Sequence, residues 1–170
     1  ILEAGEHLLG IVNDILDFSK IEAGKLKIEP RPFRTVAVIE ASISFVTEAA
    51  RNKGLELMTT IADDLPAWVK GDTLRVEQIL TNLLSNAVKF TPRGQVKLMV
   101  RQSTGTKLQF LVEDSGIGMN TEQLGRLFQA FEQADSSTTR EYGGAGLGLA
   151  IRRRMARLMG GDLTATRSPG

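Results

Sequence analysis

Between Asp72 and Phe90 the apolar residues Val76, Leu80, Leu83, Leu84 and Ala87 recur at helical spacing, and immediately afterwards the period changes to two. Val96, Leu98 and Val100 alternate with other residues, as do Leu108, Phe110 and Val112, with Thr104-Gly105-Thr106 between the two runs. The pattern predicts a helix capped by Asp72, a break at Thr91-Pro92-Arg93-Gly94, and then a hairpin. Helices mixed with antiparallel strands favour an α+β fold, a two-layer α/β sandwich, over a parallel sheet.

The rest of the chain fits around this unit. Ile1, Leu8 and Ile15 recur at seven-residue spacing, as do Leu2, Leu9 and Leu16, and Ile11, Val12 and Phe18 widen the stripe. This predicts one long helix over residues 1 to about 27, with a face too broad for a lone helix to bury, so a bundle is its expected setting. Pro30 and Pro32 mark a linker. Ile39, Ile43, Val46 and Ala50 predict a helix near 35–52, and Leu55, Leu57, Thr59 and Ile61 a strand. A short helix is expected near 121–128, a polar stretch at 133–142, a helix from about Gly146 to Met159 ended by Gly160-Gly161, and a last strand through Leu163 and Ala165. Trp68 is read as a packing residue.

Composition removes several classes of function. A net charge of +1 gives no global attraction to nucleic acid. The absence of cysteine excludes disulfides and thiolate metal sites, and a single histidine excludes a multi-histidine metal site. No apolar run is long enough to span a bilayer, so no membrane contact is expected from this segment. The chain opens inside a helical pattern and is expected to be a piece of a longer protein.

Three segments then carry chemistry. On the helix ending at Phe90, Asn82, Asn86 and Lys89 are spaced by four and three and share a face away from the apolar stripe. An amide oxygen is a hard ligand suited to Mg²⁺, and an ammonium meets phosphate as a point charge. Asp114 ends a strand and is followed by Gly116 and Gly118, so a carboxylate stands beside backbone that a flat base can approach. Gly144, Gly146 and Gly148 alternate where a helix opens, which exposes N–H groups suited to phosphate. No Lys-Ser/Thr pair follows, so this is not a Walker loop, and no βαβ unit surrounds it as a dinucleotide fold requires.

Taken together the segments resemble the ATP-binding catalytic domain of sensor histidine kinases, in the superfamily that includes gyrase and the Hsp90-type chaperones. The first glycine box matches Asp114-Ser115-Gly116-Ile117-Gly118, the phenylalanine box Phe128 to Gln133, and the second glycine box Gly143 to Leu149. Residues Ile11 to Gly24 are similar to the second helix of the dimerisation and phosphotransfer hairpin, in wording typical of hybrid kinases. The resemblance implies a Bergerat-type fold with a mixed sheet packed on helices. It implies a division into residues 1–29, part of that hairpin, and 30–170, the ATP-binding domain with its last strand truncated.

It also implies roles. Asn86 would hold Mg²⁺ with Asn82 nearby, Lys89 would contact phosphate, Phe90 would lie against adenine and Asp114 would bind its amino group. Gly116 and Gly118 would border the base, while Phe131, Arg140, Gly144, Gly146, Leu147 and Gly148 would complete the ATP site, with residues 133–142 as a lid. The implied partners are the chain's own phosphotransfer helix, a second copy, and a response-regulator receiver domain, in a cytoplasmic two-component phosphorelay.

The superfamily's ATPases place a water-activating glutamate four residues before the metal-binding asparagine. Here that position is Asn82, which is no base, and Glu77 lies on the other side of the helix. Phosphoryl transfer to a histidine is therefore expected rather than hydrolysis. The sole histidine, His7, lacks the acidic residue and proline of the acceptor motif, so the acceptor is expected elsewhere. Ala145 replaces a frequent hydroxyl residue of the second glycine box. Arg152, Arg153, Arg154 and Arg157 are expected to form a solvated basic face. A hydrolysing ATPase and a non-catalytic nucleotide-sensing or dimerisation module are the alternatives.

Overall fold

A computed structural model describes residues 2–118, 121–129 and 148–166. They fall into two compact units, one spanning residues 29–118 and the other joining residues up to 28 with those from 119 onward.

The first unit opens with β1 (Arg31–Arg34), α2 (Thr35–Lys53), β2 (Glu56–Ile61) and β3 (Trp68–Gly71). It closes with α3 (Thr73–Lys89), β4 (Gln95–Gln102) and β5 (Leu108–Asp114). The main sheet has the order β2-β4-β5, with β2 parallel and β5 antiparallel to β4. Helices α2 and α3 pack against each other and against this sheet, which gives the two layers. Every second residue of β4 faces them: Val96, Leu98 and Val100 are at most 1% exposed, alongside Ile39, Val46, Leu80 and Leu84. Full burial of each such side chain contributes roughly 1.5–3 kcal/mol.

Two short strands pair that the sequence did not suggest, the first of them in the expected linker. β1 runs antiparallel to β3, with Pro32 opposite Lys70 and Phe33 opposite Val69. A proline is admissible on an edge strand because it need not donate to the ladder. Phe33 packs on the core, and Gly71 makes room, since a Cβ there would stand 3.2 Å from the Phe33 ring. Trp68 is not a packing residue: it lies on β3 and is 61% exposed, because the strand's alternation turns it outward.

Both ends of α3 are tied by charged side chains. Asp72 is buried, and its Oδ1 accepts from the Arg75 amide at 3.2 Å while Oδ2 accepts from the Glu29 amide at 3.0 Å. At the other end Lys53, in the last turn of α2, donates to the carbonyls of Val88 at 2.6 Å and Lys89 at 3.1 Å. A cation there satisfies orphan carbonyls and complements the helix dipole. Within α3 the buried residues are Leu80, Leu84, Ala87 and Val88. The expected core members Val76 and Leu83 are only half-buried, and Val88 takes the deeper place.

The second unit contains α1 (Leu2–Glu22), α4 (Thr121–Arg126) and α5 (Gly148–Leu158). The first helix stops five residues earlier than its periodicity suggested. Gly24 adopts φ 69°, and Lys25 N donates to the Lys20 carbonyl at 2.8 Å, a left-handed helix stop that overrides the apolar pattern beyond it. Leu163 and Ala165 form no strand, because a strand needs a ladder and no described segment pairs with them. Asp162 instead accepts from the Leu163 amide at 2.8 Å, Arg157 at 3.2 Å and Arg153 at 3.3 Å.

Replacing Asp72 by alanine removes a helix cap and a second charge-assisted bond together. Asp72→Ala is expected to lose about 2–3 kcal/mol, with Asp72→Asn recovering a large part. Thermal unfolding, with a drop of about 5–10 °C for the alanine variant, checks this.

Candidate functional site

The core face of α3 fixes the rotation of the helix, and Asn82, Asn86 and Lys89 follow from it. At about 100° per residue they fall within one narrow arc opposite Leu80 and Leu84. All three are half-buried. The amide oxygen of Asn82 is fully buried and has no hydrogen-bond partner among the described residues. A buried orphan acceptor costs about 1–3 kcal/mol unless something positive meets it, so the structure has a place for a cation or donor. Glu77 lies on the core side of the helix, away from this arc, so no carboxylate of α3 replaces the missing base.

Burial holds the Lys89 ammonium below the ordinary lysine pKa, with desolvation as the cause. An anion beside the side chain would offset that desolvation.

The loop after β5 meets the end of α3. Asp114 Oδ1 accepts from the Gly116 amide at 2.9 Å, an Asx-type turn that commits one carboxylate oxygen and leaves Oδ2 for a ligand. Ile117 N donates to the Phe90 carbonyl at 3.3 Å. Ser115 fastens the loop to β4: its Oγ accepts from Gln95 N at 2.9 Å and its own amide donates to Gln95 O at 3.1 Å. Gly94, at φ 114°, permits this, because a Cβ there would overlap the Ser115 hydroxyl.

The two glycines of the loop serve different needs. Gly118 has φ 71°, a left-handed conformation that other residues resist. Gly116 is required for space: a Cβ would stand 2.5 Å from the Phe90 carbonyl oxygen, 2.8 Å from Thr91 Oγ1 and 2.9 Å from Asp114 Oδ1. What approaches Gly116 this closely is the protein's own Phe90 carbonyl and the side chains of Thr91 and Asp114. Ser115, Gly94, Thr91 and Lys53 were absent from the sequence-derived site, since each acts through a partner twenty or more residues away.

The structure thus brings Asn82, Asn86, Lys89, Phe90, Asp114, Gly116 and Gly118 into one compact unit. Gly148 opens α5 in the other unit. Phe131, Arg140, Gly144, Ala145, Gly146 and Leu147, with the proposed lid at 133–142, lie outside the described residues. The side chain of His7 does as well.

The model for histidine kinase-, DNA gyrase B- and HSP90-like ATPases matches residues 71–170. The chain belongs to this family. Among curated relatives, hybrid signal transduction histidine kinase B of Dictyostelium discoideum is 46% identical over 164 residues, covering 94% of this chain and 8% of the relative. The signal transduction histidine-protein kinase BarA of Escherichia coli is 44% identical over 170 residues, covering 98% of this chain and 18% of the relative. The chain therefore spans less than a fifth of either. The solved structure of full-length ShkA in complex with AMPPNP superposes with a TM-score of 0.81 at 35% identity, over 93% of this chain and 32% of that one. These likenesses place the chain with the ATP-binding catalytic domains of histidine kinases, in the mixed α/β fold described above.

The kinase domain's second unit pairs the arginines of α5 with acidic residues. Arg152 Nη1 lies 2.7 Å from Asp14 Oδ1, and Arg154 pairs with Glu22 and covers the Phe18 ring at 5.4 Å. Arg153 and Arg157 share Asp162, and Arg153 also stacks 4.6 Å from the Phe128 ring. The expected solvated face is a set of ion pairs, two of them to α1. A cavity of about 390 Å³ near Phe128 and Arg153 contains none of the sequence-derived site residues.

Two outcomes follow for this kinase domain. Gly116→Ala is expected to lower the melting temperature, since no flexible side-chain end can yield to the Phe90 carbonyl. For Lys89 the folded pKa is the lower one, so the unfolded chain binds that proton more tightly. Its cost is present at neutral pH, and stability rises as pH climbs from the folded value toward 10.5. Lys89→Met should therefore melt no lower than wild type near neutral pH, and that difference should shrink toward pH 10 in thermal scans.

Proposed function

We propose that this domain binds Mg-ATP and donates its γ-phosphoryl group to a histidine other than His7, for relay to a response-regulator aspartate. The observation that carries the reading is the buried, unpartnered amide oxygen of Asn82 on the same face as Asn86 and Lys89. Neutral amide oxygens on a rigid helix fit Mg²⁺, and among the described residues that face of α3 carries no carboxylate to activate water. Asn86 would hold the ion with Asn82 beside it, and Lys89 would meet phosphate. When bound, Mg²⁺ would offset the charge of the phosphate oxygens.

Asp114 Oδ2 would accept from the adenine amino group, with Phe90 against the ring and Gly116 and Gly118 at its border. Phe131, Arg140, Gly144, Gly146, Leu147 and Gly148 would complete the ATP site. We retain the division of the chain into a phosphotransfer-hairpin helix, residues 1–29, and the ATP-binding domain, residues 30–170.

On α1, Leu8, Leu9, Val12, Ile15 and Leu16 are 42–62% exposed in a continuous stripe. A stripe of this breadth supports a helical bundle seam, completed by a phosphotransfer helix and a second copy of the kinase. ThkA, whose likeness at 23% identity shows the fold, was solved in complex with the response regulator TrrA, and a receiver domain is the corresponding partner proposed here. No helix among the described residues is long and apolar enough to cross a membrane; the cytoplasmic setting proposed here rests on the phosphorelay role.

Calorimetric titration with a non-hydrolysable ATP analogue tests the reading. Binding should require Mg²⁺. Asn86→Ala should abolish the Mg²⁺-dependent binding, and Asp114→Asn should weaken binding about tenfold or more, the worth of a hydrogen bond to a charged group. Steady phosphate release that disappears in Asn86→Ala would favour a hydrolase instead. No binding at all would favour a non-catalytic module.

A further inference from the structure

Thr91 is wholly buried, and its hydroxyl has no hydrogen-bond partner among the described residues. Valine would fill the same volume without stranding a hydroxyl, so the hydroxyl needs an explanation outside packing. Its surroundings supply one. Thr91 Oγ1, Asp114 Oδ1 and the Phe90 carbonyl oxygen all converge on one point beside Gly116, at 2.8, 2.9 and 2.5 Å from where a Cβ would stand. The Phe90 carbonyl already accepts from Ile117 N, and Asp114 Oδ1 already accepts from Gly116 N. Of the three oxygens only the threonine hydroxyl carries a proton. It is the one of the three oxygens that can donate, and it stands next to the carboxylate proposed above to read the base.

We propose that Thr91 is a positioning residue for base recognition: its O–H turns onto Asp114 Oδ1 when nucleotide binds and holds Oδ2 toward the exocyclic amine of adenine. The inference rests on the assignment of Asp114 to the base. Hydrogen bonds at such sites are often long without ligand and tighten in the complex. A carboxylate held by the Gly116 amide alone can swing about its Cα–Cβ bond, and a second donor on Oδ1 removes that freedom. The consequence is selective, because it is felt only by ligands that offer Oδ2 a proton. It also separates affinity from stability: losing the hydroxyl relieves a buried orphan group while loosening the carboxylate.

The experiment measures two ligands on four proteins by calorimetry, with melting temperatures alongside. The ligands are a non-hydrolysable ATP analogue and its counterpart lacking the 6-amino group; the proteins are wild type, Thr91→Val, Thr91→Ser and Asp114→Asn. Thr91→Val is expected to weaken the adenine nucleotide about tenfold, as for a hydrogen bond to a charged acceptor, and the amine-free nucleotide less than twofold. It should melt at or above wild type, and Thr91→Ser should restore the preference for the amine. Equal losses for both ligands, no loss, or a fall in melting temperature that tracks the fall in affinity would overturn the proposal. Should Thr91→Val not fold, Thr91→Ala carries the same ligand comparison. If Asp114→Asn leaves the preference for the amine intact, the base assignment itself fails; if it abolishes the preference and Thr91→Val does not, only the role of Thr91 fails.

Discussion

The burial of Leu80, Leu84, Ala87 and Val88 beneath α2 and the sheet is the constraint on which the rest of this unit turns. A helix with one apolar face has no rotational freedom once that face is buried. The azimuth of Asn82, Asn86 and Lys89 is thus set by residues that never touch a ligand. Asp72 and Lys53 then fix the helix along its axis, one at each end. A face of amide oxygens and one ammonium group keeps its geometry only through this rigidity, because the groups themselves are held by the helix and not by one another.

Function in this fold is divided between two kinds of backbone. The α3 face is held by packing, whereas the 114–118 loop is held by hydrogen bonds and missing side chains. In the role proposed for Asp114, the loop consumes one of its oxygens internally and leaves the other for the base. The orphan oxygen of Asn82 and the desolvated ammonium of Lys89 are both destabilising in isolation. A donor or cation beside the first and an anion beside the second would offset those costs, which is what the proposed Mg-ATP ligand would supply.

Local patterns made much of this legible. The spacing of Asn82, Asn86 and Lys89 against the Leu80–Leu84 stripe placed the α3 face, and alternation placed β4 and β5, because each is a property of one segment. What stayed hidden was whatever needed two distant segments. β1 and β3 are four residues each, with Pro32 in one and an exposed Trp68 in the other, and only their mutual pairing makes them strands. The apolar pattern ran past the end of α1 because periodicity does not register a left-handed glycine such as Gly24. The ion pairs of Arg152 and Arg154 with Asp14 and Glu22 join positions more than a hundred residues apart. Lys53 reads as an ordinary polar residue, and Thr91 and Ser115 as members of a break and a glycine box, until the fold gives them neighbours.

The bond between Ser115 and Gln95, made possible by the bare Cα of Gly94, erases a distinction that the linear sequence suggests. The turn at 92–95 and the box at 114–118 look like a spacer and a signature, but they behave as one clasp. A genetic screen for impaired nucleotide binding would recover substitutions at Gly94 alongside those at Asp114. Mapped on the sequence alone, such alleles would resemble remote suppressor sites, although each acts by prying open the same few ångströms of loop.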